Sequence, residues 1–552
     1  MLGRNAIDRD PFAWPQGTNM SAASDPLEAD YVIVGGGSAG LVLANRLTED
    51  GKATVMLLEA GGESGGFLVQ LPAGYGKLVG NPSHDWMYEQ IPDPTINGRQ
   101  LRWSAGKLLG GGSSINGQVY IRGTRRDYDY WEESGAAGWG YADLEPYFRR
   151  LEQWRGAPDQ IHGESGMLSV SPMRAEHPLS RPFLEACHEN GLRVLPRYND
   201  GAMEGAFLTV ASQRDGWRCS TEKAYLRPAR ARDNLQVMTN AHVIRIRTVG
   251  KRAVGVTLMR DGVPREVKAR REVIVSAGAL ASPALLLRSG IGDGADLRDL
   301  GYPVVHDLPG VGRNLQEHPN VRVSKKLDMP TLNSLGGFAL FAQLLRFAFD
   351  RKGALSLPVV HAMALARTRD DLLEQDVQLH FLPMATEPDP ATGQITKARG
   401  MTIGVTACHP KSRGRVTLNA DGDPLVAHRF FSDEADLDTL IGGCELAERI
   451  FSASPLAGHV TGNLGPTEVP VTRDEWVDYI RATCSVAFHP VGTCRMGDDS
   501  AAVVDAQLRV RGLEGLRVVD ASVMPRITSA NTNATTVMIA EKASDIIRGR
   551  QI

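Results

Sequence analysis

Tyr31-Val32-Ile33-Val34-Gly35-Gly36-Gly37-Ser38-Ala39-Gly40, followed by Val55-Met56-Leu57-Leu58-Glu59, decides how this chain is read. Tyr31–Val34 is a short apolar run of the kind that forms a strand buried on both faces. It breaks into a glycine turn, and Leu43, Ala44 and Leu47 then recur on one helical face. A second apolar run ends in Glu59, nineteen residues after Gly40. Strand, glycine turn, helix, strand and acid in that order form the dinucleotide fingerprint. Gly35 suits the tight turn, Gly37 lets a pyrophosphate approach the backbone, and Gly40 lets helix and strand pack closely. Helix-start N–H groups hold phosphate, and Glu59 is placed to accept hydrogen bonds from a ribose diol. An ADP-containing cofactor is the expectation.

At 552 residues the chain exceeds one typical core, so two or more domains are expected. A net charge of −3 gives no reason to expect nucleic acid. The six cysteines are scattered without a CxxC pair, so no metal site is expected and reduced thiols in a cytoplasmic protein are. Residues 1–28 are polar and unpatterned, read as a disordered extension with no secretory h-region. No run reaches the roughly 18–20 apolar residues of a bilayer span. Phe338–Phe349 (FALFAQLLRFAF) comes nearest, interrupted by Gln343 and Arg346. Two readings stand for it: a helix packed on the protein or at a dimer contact, and an apolar lid touching a membrane surface.

Strand-like segments recur at Val237–Thr239, Val243–Arg247, Ala253–Met259 and Glu272–Ser276, the last running into a helix from Gly278. Leu516–Asp520 leads to a C-terminal helix over Thr535–Arg548. The organisation expected is one cofactor domain from three pieces, residues 29–155, 226–320 and 481–552. Residues 156–225 and 321–480 form a substrate-binding domain over it, with ligand in the crevice between.

Two further stretches carry chemistry. Gly106-Lys107-Leu108-Leu109-Gly110-Gly111-Gly112-Ser113-Ser114-Ile115-Asn116-Gly117 is a second glycine loop, with Leu108, Leu109 and Ile115 arguing for burial. A nicotinamide enzyme has no need of it, whereas a flavin ring must be clamped along one face. Phe488-His489-Pro490-Val491-Gly492 puts a histidine on a turn that presents it to a cavity, although a lone histidine also serves structural roles. Asn531-Thr532-Asn533, before the last helix, supplies polar partners, and either asparagine can also cap that helix.

From about residue 28 to 550 the chain resembles the glucose–methanol–choline (GMC) oxidoreductases, FAD-dependent alcohol oxidases and dehydrogenases, with the flavour of the bacterial choline-dehydrogenase-like branch. The motifs carrying the resemblance are VIVGGGSAG with LLEAG, GKLLGGGSSINGQVYIRG, GALASPALLLRSGIG, GVGRNLQEHP, HPVGTCRMG, and VVDASVMP with NTNATTVMIAEK. It implies an α/β fold: a Rossmann-like FAD-binding domain assembled from separated segments, plus an α+β substrate-binding cap with an antiparallel sheet. Implied roles place Gly35, Gly37, Ser38, Ala39 and Gly40 at the pyrophosphate, and Glu59 with Ala60 at the adenosine ribose. Gly111, Ser114, Asn116 and Gly117 would line the flavin, Val243 would meet the adenine, and Asp520 with Ala521 the ribityl–pyrophosphate. His489 matches the active-site base. Asn533 matches the position where members carry His or Asn against the same substrate oxygen, touching both cofactor and substrate, and Asn531 falls outside it. Ile115 stands where some members attach the flavin through histidine, so FAD is expected to be non-covalent.

The implied reaction oxidises a primary alcohol to an aldehyde, with His489 taking the hydroxyl proton and flavin N5 the hydride. An imidazole with an unperturbed pKa of about 6.5 suits that role near neutrality. O2, giving peroxide, and a quinone or dye are the two candidate electron acceptors, with a lean towards the latter. A lyase or decarboxylase of the same fold, and a flavoprotein with a dead site, are the other classes; the His489/Asn533 pair speaks against both. Phe488, Leu335–Phe349 and Val377–Leu382 are expected to line the entrance and to favour an apolar or aryl alcohol over choline. The remaining partners expected are a second copy or none, and a membrane at most peripherally.

Overall fold

The computed structural model describes residues 27–332, 336–388 and 395–550; most of the extension expected over 1–28, and Leu335, lie outside the described residues. The fingerprint strand Leu27–Val34 sits inside a seven-stranded sheet. Strands run in the order 235–238, 55–58, 27–34, 263–275, 252–260, 242–249, with Leu516–Val518 paired to 263–275. Pairing is parallel from 235–238 through 55–58 and 27–34 to the far half of Val263–Val275, and again to Leu516–Val518. The near half of Val263–Val275 turns back as an antiparallel meander with 252–260 and 242–249.

Central burial explains the runs without alternation: Val32, Ile33, Met56, Leu57, Val273, Ile274 and Val518 are all at or below 1% exposure, covered on both faces. The helices Ser38–Thr48 and Thr532–Arg548 pack on one another beside this sheet. Chain pieces from both ends and the middle therefore share one core, and ligand-binding loops gather at the carboxyl ends of the parallel strands.

A second seven-stranded sheet, antiparallel throughout, has the order 460–465, 319–327, 400–407, 377–382, 362–366, 205–208. The short strand Ser485–Val486 joins its 319–327 strand, pairing Pro319 with Val486 and Asn320 with Ser485. That pairing brings residues 487–489 against His318, with Ala487 N donating to His318 O at 3.2 Å. The amphipathic helix Ala435–Ser452 covers the sheet with Leu437, Leu440, Ala447 and Ile450, all buried. All six cysteines are buried and unpaired. No helix among the described residues is long and apolar enough to cross a membrane.

Candidate active site

The two glycine loops pack against each other. Gly110 N donates to Gly36 O at 2.7 Å, and a Cβ on Gly111 (φ +51°) would sit 2.8 Å from Gly37 Cα. Gly35 has φ +105°, and a Cβ there would lie 2.4 Å from Ser276 O, so only glycine takes the turn. A Cβ on Gly37, by contrast, would have nothing nearer than Ser276 O at 3.9 Å. That side opens into a slot. No side chain caps the helix starting at Ser38, which leaves its first N–H groups for an anion.

The slot is lined by Gly35, Gly37, Ser38, Ala39, Glu59 and Ala60, by Trp86, Val243 and Gly111, and by Asp520, Ala521, Phe488, Pro490 and Thr532. A glycine-floored slot with an uncapped helix start and a buried acid fits an adenine dinucleotide of flavin type. Glu59 accepts from Gly36 N and Gly61 N, each at 2.7 Å, and burial raises its pKa against those two donors. Each carboxylate oxygen keeps a second lone pair. Asp520 ties one wall of the slot together, accepting from Gly278 N, Ser282 Oγ and the Ser522 N–H and hydroxyl. Val243 lends its carbonyl to Arg288 Nη2 at 3.3 Å.

Five expected cofactor residues lie outside that lining: Gly40, Ser114, Asn116, Gly117 and Asn533. Gly40 packs under the Gly35 carbonyl, where a Cβ would be 1.9 Å from the oxygen. Ser114 is buried and donates to Leu109 O at 2.8 Å. Asn116 Oδ1 accepts from Gln118 N and from Arg218 Nη1, and Gly117 abuts Val359. These shape the second loop from behind. Ile115 is buried in a small cluster with Val69, Leu78 and Leu108.

Between the slot-lining Phe488 and Pro490, and itself outside the lining, stands His489, 8% exposed. Its neighbours correct one expectation. The carboxamide beside it belongs to Asn531, whose Nδ2 lies 2.9 Å from His489 Nε2. Asn533 instead donates through Nδ2 to Ser38 Oγ at 2.9 Å, at the first glycine loop. The reason is local. Asn531 is the helix N-cap, with extended backbone (ψ 133°), so its side chain leaves before the helical turn begins. Asn533 is already in the first turn and points elsewhere. The segment carrying Asn531 is fixed by Asp127, which accepts from Ser529 N at 3.0 Å and Ser529 Oγ at 2.7 Å. Burial would raise the Asp127 pKa; the His409 ring at 2.6 Å, Ser529 and Arg526 more than offset that and hold it at about 2.

Two residues not singled out from the sequence complete the site. His318 Nδ1 lies 3.0 Å from His489 Nδ1, and His318 Nε2 lies 2.9 Å from Cys408 O. A carbonyl oxygen only accepts, so His318 Nε2 carries hydrogen. Burial drives His318 down to about 3, so the ring is neutral and its Nδ1 is bare. His489 Nδ1–H must then donate to it. Burial first, then His318 and His380, hold His489 well below the ordinary 6.5, so it too is neutral. Its Nε2 therefore carries the lone pair, and accepts from Asn531 Nδ2 at 2.9 Å. Glu317 lies beneath, accepting the His489 N–H at 2.9 Å on both oxygens and the His318 N–H at 2.9 Å. Burial pushes Glu317 up to about 8 against those donors. A histidine next to proline in LQEHP was the available signal.

Phe488, next to the base, adopts φ +63° and is 45% exposed at the slot's mouth. Val377–Leu382 is a cap-sheet strand that contributes His380, hydrogen-bonded to Gln378. The helix Gly337–Asp350 lines none of the slot; it lies on the surface.

Family profiles described as GMC oxidoreductase match residues 29–320 and 410–540. The oxygen-dependent choline dehydrogenase of Brucella anthropi is 40% identical over 531 residues, 95% of this chain and 96% of that one. An alcohol dehydrogenase (acceptor) of Pseudomonas putida is 38% identical over 528 residues, 94% and 95% of the two chains. Among solved structures, pyridoxine 4-oxidase from Mesorbium loti superposes with a TM-score of 0.86 at 31% identity, over 95% of this chain and all of that one. A formate oxidase of Aspergillus oryzae carrying one arginine-to-lysine substitution gives 0.88 at 26%, over 96% and 99%.

Proposed function

We propose, on the premise that this chain belongs to the GMC oxidoreductase family and is an FAD-dependent oxidoreductase of alcohol CH–OH groups, that His489 and Asn531 form the proton-handling pair. FAD, when bound, supplies the two-electron acceptor. The chain's own part is to place an alcohol oxygen between a bare imidazole nitrogen and an amide donor.

The observation carrying this reading is the hydrogen-bond chain from Cys408 O through His318 to His489. It leaves His489 only one orientation of its proton, with Nε2 available as base. The alcohol hydroxyl donates to Nε2 and accepts from Asn531 Nδ2, which stabilises alkoxide character as the proton leaves. Glu317 clamps the backbone of both histidines, and the ring contacts to Cys408 O, to each other and to Asn531 orient the imidazoles. The expected His489/Asn533 pairing is replaced by this arrangement, and Asn533 is assigned to holding Ser38 at the pyrophosphate loop.

Burial keeps His318 near 3, His380 near 4 and His489 low, so the groups facing the alcohol are uncharged. That suits a neutral apolar or aryl primary alcohol, oxidised to an aldehyde, better than a quaternary ammonium. FAD is held without a covalent link, since Ile115 offers no nucleophile. A quinone or dye is the acceptor in this reading, in a cytoplasmic enzyme with at most peripheral membrane contact. The separate cofactor and cap segments outlined from the sequence remain the proposed domains.

His489→Ala should retain flavin and lower anaerobic flavin bleaching by an aryl alcohol about a hundredfold or more. Normal bleaching would refute the base assignment. Acid precipitation should leave a colourless pellet, and peroxide should form much more slowly than a dye is reduced on the same alcohol.

A further inference from the structure

The helix Gly337–Asp350 carries the largest run of exposed apolar side chains in the described chain. Phe338 is 85% exposed, Phe341 54%, Leu344 45%, Leu345 43% and Phe349 86%. At 100° per residue these positions sweep an arc of about 140°. The opposite side is anchored. Phe347 packs edge-on against Trp217, with ring centroids 4.9 Å apart. Gln343 accepts from Ala354 N, and Arg174 donates to the carbonyls of Asp350 and Arg351 at the helix end. The helix is therefore held in place with its apolar face outward. Phe67 meets the other side of Trp217 at 5.9 Å, and with Leu68 it extends the patch (60% and 47% exposed).

At roughly 200 Å² per aromatic side chain, the exposed rings and leucines present on the order of 700 Å², above the ~300–600 Å² of the largest patch on an ordinary monomer. Arg346 lies at the border of the arc, and Arg351, Lys352 and Arg174 cluster at the helix end. Asp350 is the single acid on the helix, in a chain whose net charge is −3. An outward apolar arc with cations at its edge is the pattern of a helix lying in the plane of an anionic membrane. A symmetric second copy on the same face would bring these cations against their own equivalents.

We infer that this face docks on an anionic lipid surface, with the Phe338/Phe349 side in the acyl boundary and Arg346 and Lys352 at the headgroups. The patch is also coupled to the site. Arg218, the residue after Trp217, is buried and donates to Val69 O beneath the Phe67 turn and to Ser113 O and Asn116 O of the second glycine loop. Docking sets the wall behind the cofactor loop on the bilayer.

The test uses the full-length, flavin-loaded protein and sedimentation with vesicles of phosphatidylcholine alone or with about one-third phosphatidylglycerol. The native protein should pellet with the anionic vesicles. The triple substitution Phe338→Ser, Phe341→Ser, Phe349→Ser should cut the bound fraction about tenfold. Its dye-linked turnover in solution and melting temperature should be unchanged. Arg346→Glu with Lys352→Glu should abolish the preference for phosphatidylglycerol while leaving the fold intact. Native protein remaining in the supernatant with both vesicles would overturn the inference. So would a native dimer, by sedimentation velocity, that the triple substitution converts to monomer, because a second copy would then cover the face.

Discussion

Replacing Asn531 by alanine removes the amide whose Nδ2 sits 2.9 Å from His489 Nε2. It also leaves a buried imidazole nitrogen without its donor and an alkoxide-like oxygen without a hydrogen bond. A buried polar group left unpaired costs about 1–3 kcal/mol, and 1.36 kcal/mol is tenfold in rate. The expected loss in the reductive half-reaction is therefore about thirtyfold, within bounds of roughly fivefold to 150-fold. Asn533→Ala is the control. Its partner is Ser38 Oγ in the first glycine loop, so it should weaken FAD retention and leave the loaded enzyme within about threefold of native, far below the roughly thirtyfold at the base. Stopped-flow bleaching of bound flavin by saturating alcohol without oxygen reads the first quantity, and equilibrium dialysis of flavin reads the second. A slow Asn533→Ala beside a normal Asn531→Ala would refute the assignment and restore the pairing expected from the motif.

With His489 held well below 6.5, kcat/KM should stay flat as pH falls through neutrality and drop only in the acid range. His318→Asn keeps an acceptor for His489 Nδ1–H but removes a neighbour that lowers its pKa, so the acid limb should move up towards 6.5; an unmoved limb would refute the coupling. Glu317 has a folded pKa of about 8 against an ordinary 4.5, so the folded chain keeps a proton that the unfolded chain releases. Its contribution to stability is full below about 4.5 and declines as pH rises through about 8. Melting temperatures between pH 5 and 9 should accordingly fall less steeply in Glu317→Gln than in the native protein, and identical slopes would reject the shift.

The fingerprint and the central strands were legible because their signals are local. Val32 and Ile33 are buried wherever the sheet is completed, and the Gly35 turn admits no other residue. The cofactor slot followed, since Gly37, Glu59, Gly111 and Asp520 come from motifs that each specify a backbone shape. The partners of the base were not legible. His318 meets His489 only because Pro319 pairs with Val486 and Asn320 with Ser485, a register between segments more than 160 residues apart. Asn531 and Asn533 differ by two positions, and which of them faces the base depends on where the helix starts. Helix ends are poorly fixed by sequence: the pattern expects this one to start at Thr535, and it begins at Thr532.

That boundary has a chemical consequence. An N-cap residue has not yet adopted helical dihedrals, so its side chain is free to reach sideways out of the helix axis. The turn holding Asn531 is then set by Asp127 through Ser529 rather than by the helix itself. Asp127 in turn closes the capping box of the helix Arg125–Glu133 with Thr124 and meets His409 from the cap. The amide that faces the base is therefore positioned through Ser529, Asp127 and His409, and the base through Glu317 and the Ser485–Val486 strand, which pairs with the second sheet. Both members of the pair depend on contacts reaching that sheet or the turn that follows its 400–407 strand. Loosening those contacts should depress turnover before it releases flavin, because the glycine loops, Glu59 and Asp520 are tied to one another and to Gly61, Gly278, Ser282 and Ser522 instead.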